Sequence, residues 1–273
     1  MITYNHEKYI SQALESIINQ NISFQLEIIV SDDCSTDNTQ EIVEGYAFQD
    51  NRIKFKRNAE NLGIIKNFIK AISFCKGSYI ALLEGDDYWI SNIKLENQID
   101  FLEKNREYSF VFHNAKIIYG TNNSYIKNFA DLQEKEYNGA EILNQWLVPT
   151  GSVVFRNEIT FPDFSYRCIH GDILLFLLLL EKGKSFCIDQ FWSIYRKNEG
   201  GVTSNYKSIP YLKTVYEQHV IMQKYFRKYV NEFNKQKIYW LKSLLKQQLI
   251  QRKYMSLIKY LFIYINIRIN LLN

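Results

Sequence analysis

The first hundred residues alternate between short apolar runs and amphipathic segments. Apolar side chains recur at helical spacing at Tyr9, Ile10, Ala13, Leu14, Ile17 and Ile18, which predicts a helix with one buried face. Short apolar runs predict strands at 26–30, 53–55 and 79–83, and helices are predicted from Asp37 and over 64–74. Ile2 is interpreted as the end of a first strand that continues upstream of the first residue. Such alternation is typical of an α/β fold with a parallel sheet.

The pattern becomes more mixed after residue 100. Strands are predicted at 109–112, 116–119, 150–155, 186–188 and 192–195, and helices at 139–146 and 173–180. From Tyr211 onward the apolar residues keep helical spacing, so long helices are expected. The predicted fold class is therefore α/β, with a mixed, mainly parallel sheet flanked by helices and a C-terminal helical extension.

Polar side chains follow three of the predicted strands. They are Thr3, Tyr4 and Asn5 after the first, Asp32 and Asp33 after the second, and Glu84, Asp86 and Asp87 after the strand at 79–83. Ligands of parallel sheets bind beyond the carboxyl ends of the strands, so these side chains are expected to form one site. Clustered carboxylates suit Mg²⁺ or Mn²⁺, which prefer oxygen ligands and bridge to phosphates. The alternative is an acidic turn that faces water.

Composition places the chain among ordinary globular proteins, with 47% hydrophobic and 23% charged residues. The four cysteines form no closely spaced pair, which indicates free thiols and a reducing compartment. No apolar run approaches the roughly 20 residues that span a bilayer. We therefore expect a cytoplasmic protein.

The balance of basic and acidic residues changes near Lys207. Residues 207–273 carry 13 Lys or Arg against two Glu, whereas the first 206 residues carry 20 basic and 27 acidic residues. This predicts a domain over 1–206, with halves 1–100 and 101–206, and a basic helical extension over 207–273. The basic amphipathic stretch 241–269 suits peripheral contact with an anionic membrane at its inner face, or packing on its own domain. Nucleic acid is not favoured as a partner, because no binding motif accompanies the charge.

Four motifs in register resemble those of the family 2 glycosyltransferases of the GT-A fold, over roughly residues 1–200. The matching segments are Ile2-Thr3-Tyr4-Asn5, Ser31-Asp32-Asp33-Cys34-Ser35-Thr36-Asp37, Asn61-Leu62-Gly63 and Leu83-Glu84-Gly85-Asp86-Asp87-Tyr88-Trp89. Further on, His170-Gly171-Asp172 is similar to the segment that carries the family's catalytic base, and 195–201 resembles the loop after the last core strand.

The resemblance implies an inverting transfer of a sugar from a nucleotide diphosphate sugar, UDP-linked by expectation, to a glycan or lipid-linked acceptor in surface polysaccharide synthesis. It implies that Asp172 is the base and that Asp87 and Asp86 hold Mn²⁺ or Mg²⁺. The implied nucleotide-sugar contacts are Thr3, Tyr4, Asn5, Glu7, Asp33, Asn61, Lys66, Asn67, Glu84 and Asp86.

Two alternatives remain open from the residues alone. A nucleotidyltransferase on a related scaffold would release pyrophosphate, although its usual Gly- and Arg-rich phosphate loop is absent from the N-terminal sequence. A non-catalytic nucleotide-sugar or glycan-binding protein is favoured by Gly171, which stands where relatives carry Glu. For three of these residues a purely structural role is also possible from the sequence. Asp37 would cap a helix, Asn61 would shape a loop, and Asp172 would complement a helix dipole.

Overall fold

The computed structural model describes residues 1–119, 122–198, 207–252 and 254–272. The chain forms two compact units. The first comprises Met1–Asn138, Trp146–Pro162 and Leu178–Asn198; the second comprises Gly139–Gln145, Asp163–Leu177 and the described part of Glu199–Asn273. The predicted domain boundary near Lys207 stays a prediction.

The first unit begins with the alternation that the hydrophobic pattern predicts. Its elements are β1 (Ile2–Thr3), α1 (Ile10–Ile18), β2 (Ile28–Asp32), α2 (Thr39–Gln49), β3 (Ile53–Arg57) and α3 (Ile64–Phe74). The three strands form a parallel sheet in the order β1-β2-β3. The register pairs Thr3 with Asp32 and Asp32 with Arg57, so the strand ends lie level with one another.

A second, seven-stranded sheet completes the first unit. Its elements are β4 (Tyr79–Ala81), β5 (Tyr88–Trp89), α4 (Lys94–Lys104), β6 (Tyr108–Tyr119), β7 (Asn122–Asn128), β8 (Lys135–Glu136), β9 (Val154–Arg156) and β10 (Lys184–Lys197). The central order is β4-β9-β6-β10-β5, with β7 beside β6 and β8 beside β10. β6 and β10 run parallel, and the other pairs are antiparallel. A parallel bridge between Ile2 and Glu84 joins the two sheets.

Five predicted strands of the second half correspond to three observed strands of different extent. The two at 109–112 and 116–119 are one strand, β6, and the two at 186–188 and 192–195 are one strand, β10. β10 keeps its pairing with β6 through register shifts between Ile188 and Ser193, where polar residues interrupt the apolar pattern. The predicted strand at 150–155 begins instead as a 3₁₀ turn over Thr150–Ser152, and only Val154–Arg156 is strand.

One buried lysine stands out in the core of the first unit. Lys94, at the start of α4, is fully buried, and its Nζ lies 4.1 Å from the centre of the Trp89 ring. Burial lowers the pKa of Lys94 well below its usual value. The Trp89 indole in turn donates a hydrogen bond from Nε1 to the carbonyl oxygen of Gly151, at 2.7 Å. This packing fixes the base of the acidic loop 84–87.

The second unit is helical. It contains α5 (Gly139–Asn144), most of α6 (Gly171–Leu180), α7 (Ile209–Tyr225), α8 (Val230–Ile250) and α9 (Tyr254–Leu272). Leu212, Leu241, Leu244 and Tyr260 form its apolar core. α5 packs on α8, because the Gln236 amide donates to the carbonyl oxygen of Leu143 at 2.6 Å. Within the described part of the chain, no helix combines the length and apolarity that crossing a bilayer requires.

Candidate functional site

The structure brings the three polar strand ends together at one edge of the first unit. β1 pairs with β2 at Thr3 and Asp32, and Ile2 bridges to Glu84. The main-chain N–H of Gly85 donates to the Ile2 carbonyl oxygen at 2.9 Å. A Cβ atom at Gly85 would lie 2.7 Å from Thr3 Oγ1 and 2.8 Å from His6 Nδ1, so only glycine fits there.

The loop after β1 is bonded to the loop after β2. Asn5 adopts a left-handed conformation with φ of 56°, accepts at Oδ1 from the Thr36 N–H at 2.8 Å, and donates from its own N–H to Ser35 Oγ at 2.9 Å. Thr3 is buried, whereas Tyr4 is 43% exposed at the edge of the site. Of these predicted nucleotide contacts, Tyr4 and Asn5 are exposed, and the side chain of Asn5 also bonds the loop after β2.

Glu7 and Asp37 complete this connection between the loops. The Glu7 carboxylate accepts from the N–H and the side-chain amide of Asn38, at 3.0 and 2.9 Å. Asp37 accepts from the N–H groups of Glu7 and Thr39, both at 3.0 Å. Burial acts in the opposite direction, yet the hydrogen bonds from Thr39 and Glu7 lower the pKa of Asp37. The structure therefore gives both carboxylates a role in positioning the start of α2.

The two aspartates at the end of β2 have different surroundings. Asp32 is fully buried, accepts from the Ser35 N–H at 3.0 Å and lies 3.5 Å from Arg57 Nε. Asp33 accepts at Oδ1 from Asn58 Nδ2 and from the Leu62 N–H, and at Oδ2 from the Gly63 N–H, each at 2.9 Å. Asp33 is buried, and because a carboxylate offers about four acceptor positions, these three bonds leave one position unused.

The loop 61–63 and the start of α3 hold the remaining predicted contacts. Asn61 is exposed and accepts from the Gly63 N–H at 3.1 Å, and Lys66 is exposed in the first turn of α3. Asn67 is buried; its amide oxygen accepts from Ser31 Oγ at 2.7 Å, and its Nδ2 donates to the Ser31 carbonyl oxygen at 3.0 Å. The Asn67 amide thus joins α3 to β2 inside the unit.

The acidic loop contains a buried and a partly exposed aspartate. Asp87 is 4% exposed and accepts at Oδ1 from the main-chain N–H of Arg196, at 2.7 Å. Burial raises the pKa of Asp87 well above its usual value, and the charges of Asp86 and Glu84 raise it further. Asp86 is partly exposed; its Oδ2 accepts from Asn198 Nδ2 at 2.9 Å and lies 3.8 Å from His6 Nε2.

Arg196 contacts the acidic loop, and the sequence did not indicate that contact. Its Nε donates to the Asp86 carbonyl oxygen at 2.8 Å and its Nη2 to Gln12 Oε1 at 2.7 Å. The guanidinium also lies 4.8 Å from the centre of the Tyr9 ring and 5.2 Å from that of Tyr88. The antiparallel pairing of β5 with β10 brings these groups together.

His6 and Asn198 were likewise not assigned from the sequence. Both approach the carboxylate of Asp86, from the loop after β1 and from the end of β10 respectively. The one available signal was the resemblance of segment 195–201 to the family's final loop. Residues 199–201 of that segment lie outside the described residues.

The oxygen atoms of Asp86 and Asp87 are of the kind that bind Mg²⁺ or Mn²⁺. Across residues 1–119, 122–198, 207–252 and 254–272, no group of three or more His, Cys, Asp or Glu is arranged as a metal site. Mg²⁺, however, is usually held by one or two carboxylates plus waters and substrate phosphates. The Asn198 Oδ1 atom is buried and has no hydrogen-bond partner among the described residues, so a neutral oxygen ligand lies beside Asp86.

Asp172 belongs to the second unit, in the first turn of α6. Its Oδ1 accepts from the Ile173 N–H at 2.8 Å. The preceding segment is bonded to α7: the Ile169 and His170 N–H groups donate to Gln218 Oε1, at 2.7 and 2.9 Å. His170 Nε2 lies 2.9 Å from the Tyr211 hydroxyl. Burial lowers the pKa of His170, and the negative charge of Asp172 opposes that shift.

Comparison with known proteins identifies relatives by sequence. The family model described as "Glycosyl transferase family 2" matches residues 1–160. The glucosyltransferase WfgD of Escherichia coli, named as acting from UDP-Glc on alpha-D-GlcNAc-diphosphoundecaprenol, is 34% identical over 209 residues, which are 75% of this chain and 78% of WfgD. Uncharacterized mycobacterial relatives are 31% identical over 206 residues, and the match spans 58% of their length.

Solved structures share the fold. TarS 1–349 of S. aureus in complex with UDP-GlcNAc aligns with a TM-score of 0.62 and 20% identity, covering 94% of this chain and 82% of that one. The mannosyltransferase PcManGT from Pyrobaculum calidifontis, in complex with GDP-Man and Mn²⁺, aligns with a TM-score of 0.61 and 14% identity, covering 98% and 80%. The predicted α/β fold class of GT-A type is thereby confirmed.

Proposed function

The chain belongs to glycosyl transferase family 2, and from that membership we propose that it is a metal-dependent inverting glycosyltransferase. The observation that carries the proposal is the meeting of Asp33, Asp86 and Asp87 at one edge of the sheet, where the ends of β1 and β2 meet the loop that follows β4. A base-recognising carboxylate and a phosphate-binding acidic loop are the two parts that a nucleotide diphosphate sugar requires.

The proposed donor is a UDP-sugar and the proposed acceptor a lipid-linked or growing glycan in surface polysaccharide synthesis. WfgD, 34% identical to this chain, is named for a UDP-linked donor and a diphosphoundecaprenol-linked acceptor, and TarS was solved with UDP-GlcNAc. Asp33 supports a uracil base, because its remaining acceptor position can take the imide N–H. Tyr4, exposed beside it, supplies an aromatic ring and a hydroxyl for the base and ribose.

The acidic loop is proposed to hold the divalent ion through Asp86 and Asp87, with the Asn198 amide oxygen beside them. When bound, Mn²⁺ or Mg²⁺ neutralises the charge that develops on the departing diphosphate. Arg196 keeps this loop in place, since it bonds Asp87 through its main chain and the Asp86 carbonyl through its side chain. The protein thereby presents two carboxylates in a fixed arrangement before the donor arrives.

Asp172 is proposed to take the proton of the acceptor hydroxyl as that oxygen attacks the sugar. Inversion needs one base on the side opposite the leaving group, and a carboxylate can serve as that base. The segment 169–172 is held by Gln218 and Tyr211 of α7, which fixes the main chain that leads into Asp172.

The C-terminal helices are proposed to contact the inner face of an anionic membrane through the stretch 241–269. Large apolar side chains that are exposed on α8 and α9 include Leu249, Ile250, Ile258, Leu261, Phe262 and Ile265. Arg252 and Lys259 are exposed among them. An exposed apolar stripe with flanking cations suits the interface of an anionic bilayer, where a lipid-linked acceptor would be found.

Thermal unfolding with nucleotides tests the donor site. The protein is melted with UDP, GDP, CMP or dTDP, each with and without Mn²⁺, in parallel with the Asp86→Asn variant. We expect UDP to stabilise the native protein only with Mn²⁺, and Asp86→Asn to abolish that shift. Stabilisation by no nucleotide would contradict the proposal. Release of pyrophosphate in an activity assay would instead indicate a nucleotidyltransferase. Binding of a sugar donor without any sugar transfer would indicate a binding protein.

A further inference from the structure

Three aromatic rings of the first unit pack against one another at the end of β10. The ring centres of Phe129 and Trp146 are 4.8 Å apart, those of Phe129 and Tyr195 are 5.2 Å apart, and those of Trp146 and Tyr195 are 5.7 Å apart. All three contacts are edge-to-face, with interplanar angles from 65° to 90°. Each ring is therefore held by the other two in a favourable geometry.

Trp146 is 47% exposed even though it belongs to this cluster. A tryptophan whose only role was to fill the core would be covered, because it is among the largest apolar side chains. Phe129 is fixed further by its main-chain N–H, which donates to the Ala115 carbonyl oxygen at 2.8 Å. The cluster thus presents an indole to solvent with little remaining freedom.

The cluster is tied to the acidic loop by two short connections. Tyr195 directly precedes Arg196, whose N–H is 2.7 Å from Asp87 Oδ1, so the Tyr195 Cα lies within about 5 Å of that oxygen by covalent geometry. Trp146 is followed by the turn at Gly151, where a Cβ atom would lie 3.9 Å from Asp87 Oδ2. The main chain at Tyr195 therefore lies beside the acidic loop.

We infer that Phe129, Trp146 and Tyr195 form a platform that binds the uncharged ring of a sugar, an inference that rests on the proposed function. A pyranose presents C–H groups with partial positive charge on one face, and an indole face carries the complementary negative charge. Because the rings are already ordered, binding costs little side-chain entropy.

Sugar binding is measured directly by saturation-transfer NMR on the full chain, with methyl β-glucoside and methyl N-acetyl-β-glucosaminide as probes. Trp146→Ala is expected to weaken glycoside binding about tenfold, the amount that a lost aromatic contact of about 1.4 kcal/mol produces. Trp146→Phe keeps a ring and should largely restore binding. Phe48→Ala removes another aromatic side chain of the same unit, 94% exposed, and should change nothing.

Equal glycoside binding by wild type and Trp146→Ala would overturn the inference, as would absence of transfer to either probe in the wild type. The melting shift with UDP and Mn²⁺ separates this inference from the proposed function. Trp146→Ala should keep that shift while losing glycoside binding. A wild type that binds the glycosides but shows no melting shift with UDP, together with a Trp146→Ala variant that no longer binds them, would support the platform and contradict the proposed function.

Nucleotide affinities and acceptor kinetics of the same variants decide whether the platform binds the donor sugar or the acceptor sugar. If the platform holds the donor sugar, Trp146→Ala weakens binding of UDP-glucose or UDP-GlcNAc but not of UDP. If it holds the acceptor, both nucleotide affinities stay unchanged and the KM for a synthetic lipid-diphosphate-linked GlcNAc rises. Unchanged values in both comparisons would remove the platform from the reaction.

Discussion

The main-chain N–H of Arg196 donates to Oδ1 of Asp87 at 2.7 Å, across 109 residues of sequence. The bond does not depend on the side chain at position 196. The side chain has a separate role, because it bonds the Asp86 carbonyl oxygen and Gln12. Substitution at Arg196 therefore tests how far the acidic loop depends on its side-chain support alone.

Arg196→Ala should reduce stability and donor binding together. It removes at least two hydrogen bonds from a charged donor and two ring contacts, which corresponds to roughly 2–4 kcal/mol of the free energy of unfolding. Urea unfolding and the UDP melting shift measure the two effects. Lys197→Ala, one position on, is the control, and an equal effect of both substitutions would rule out the special role of Arg196.

Gly85→Ala should destabilise the protein by roughly 1–3 kcal/mol, because the added methyl group would overlap Thr3 and His6. Gly45→Ala is the matched control. Nothing lies within 4 Å of a Cβ atom at Gly45, which is inside α2, so alanine there should raise stability by up to about 1 kcal/mol. The prediction fails if the two substitutions shift the urea midpoint in the same direction.

Tyr211→Phe should lower kcat about tenfold, the cost of one hydrogen bond lost from the support of the base segment. The KM for the donor should not change, because Tyr211 belongs to the second unit and the proposed donor contacts to the first. Tyr216→Phe, on the same helix, is the control. A changed donor KM with unchanged kcat would contradict the positioning role.

Stability of the protein should fall as the pH decreases from about 6.5 toward 4. Burial lowers the pKa of His219 to about 4, and its Nδ1 lies 2.7 Å from the Val215 carbonyl oxygen. The unfolded chain binds a proton at His219 near pH 6.5 and the folded chain only near 4, so acid favours unfolding by up to about 3 kcal/mol. Urea titrations at pH 7 and pH 5 should show a smaller loss of unfolding free energy in His219→Gln than in the wild type. An equal loss in both proteins would show that His219 is not its cause.

Ile258→Glu with Phe262→Glu should abolish flotation with phosphatidylglycerol vesicles. Both side chains are about two-thirds exposed on α9, and carboxylates there would be repelled by the anionic surface. Phe48→Glu places one carboxylate on α2 and should float like the wild type. Co-flotation of the double variant at wild-type levels would remove the membrane contact from the proposal.

The local pattern of the first hundred residues was sufficient to predict the strand ends and their meeting. Parallel pairing places the ends of β1 and β2 at one edge, so Asp33 could be grouped with that edge from the sequence. Asp86 and Asp87 were grouped with it on the same expectation, but β4 pairs antiparallel with β9, and the acidic loop joins β1 through the bridge between Ile2 and Glu84. Arg196 could not be grouped with them, because its position depends on the pairing of β10 with β5 across more than 100 residues. Its sequence neighbourhood gives no spacing signal for that contact.

The burial of certain polar residues was also not predictable from the sequence. Lys94 and Asn67 occupy helix positions whose residue types are typical of surfaces or of ligand contacts, yet both are buried. Lys94 packs on Trp89, and the Asn67 amide bonds β2. Such partners come from other elements of the fold, so the residue type alone could not indicate them.

β10 serves two purposes through the alternation of its side chains. Tyr195 packs with Phe129 and Trp146, and its neighbour Arg196 contacts Tyr9 and Tyr88. Because successive side chains of a strand point to opposite faces, inserting or deleting one residue between Ser193 and Tyr195 would turn each side chain to the wrong face. Divergence of this segment should therefore proceed by substitution and not by change of length, whereas the register shifts before Ser193 can absorb an extra residue.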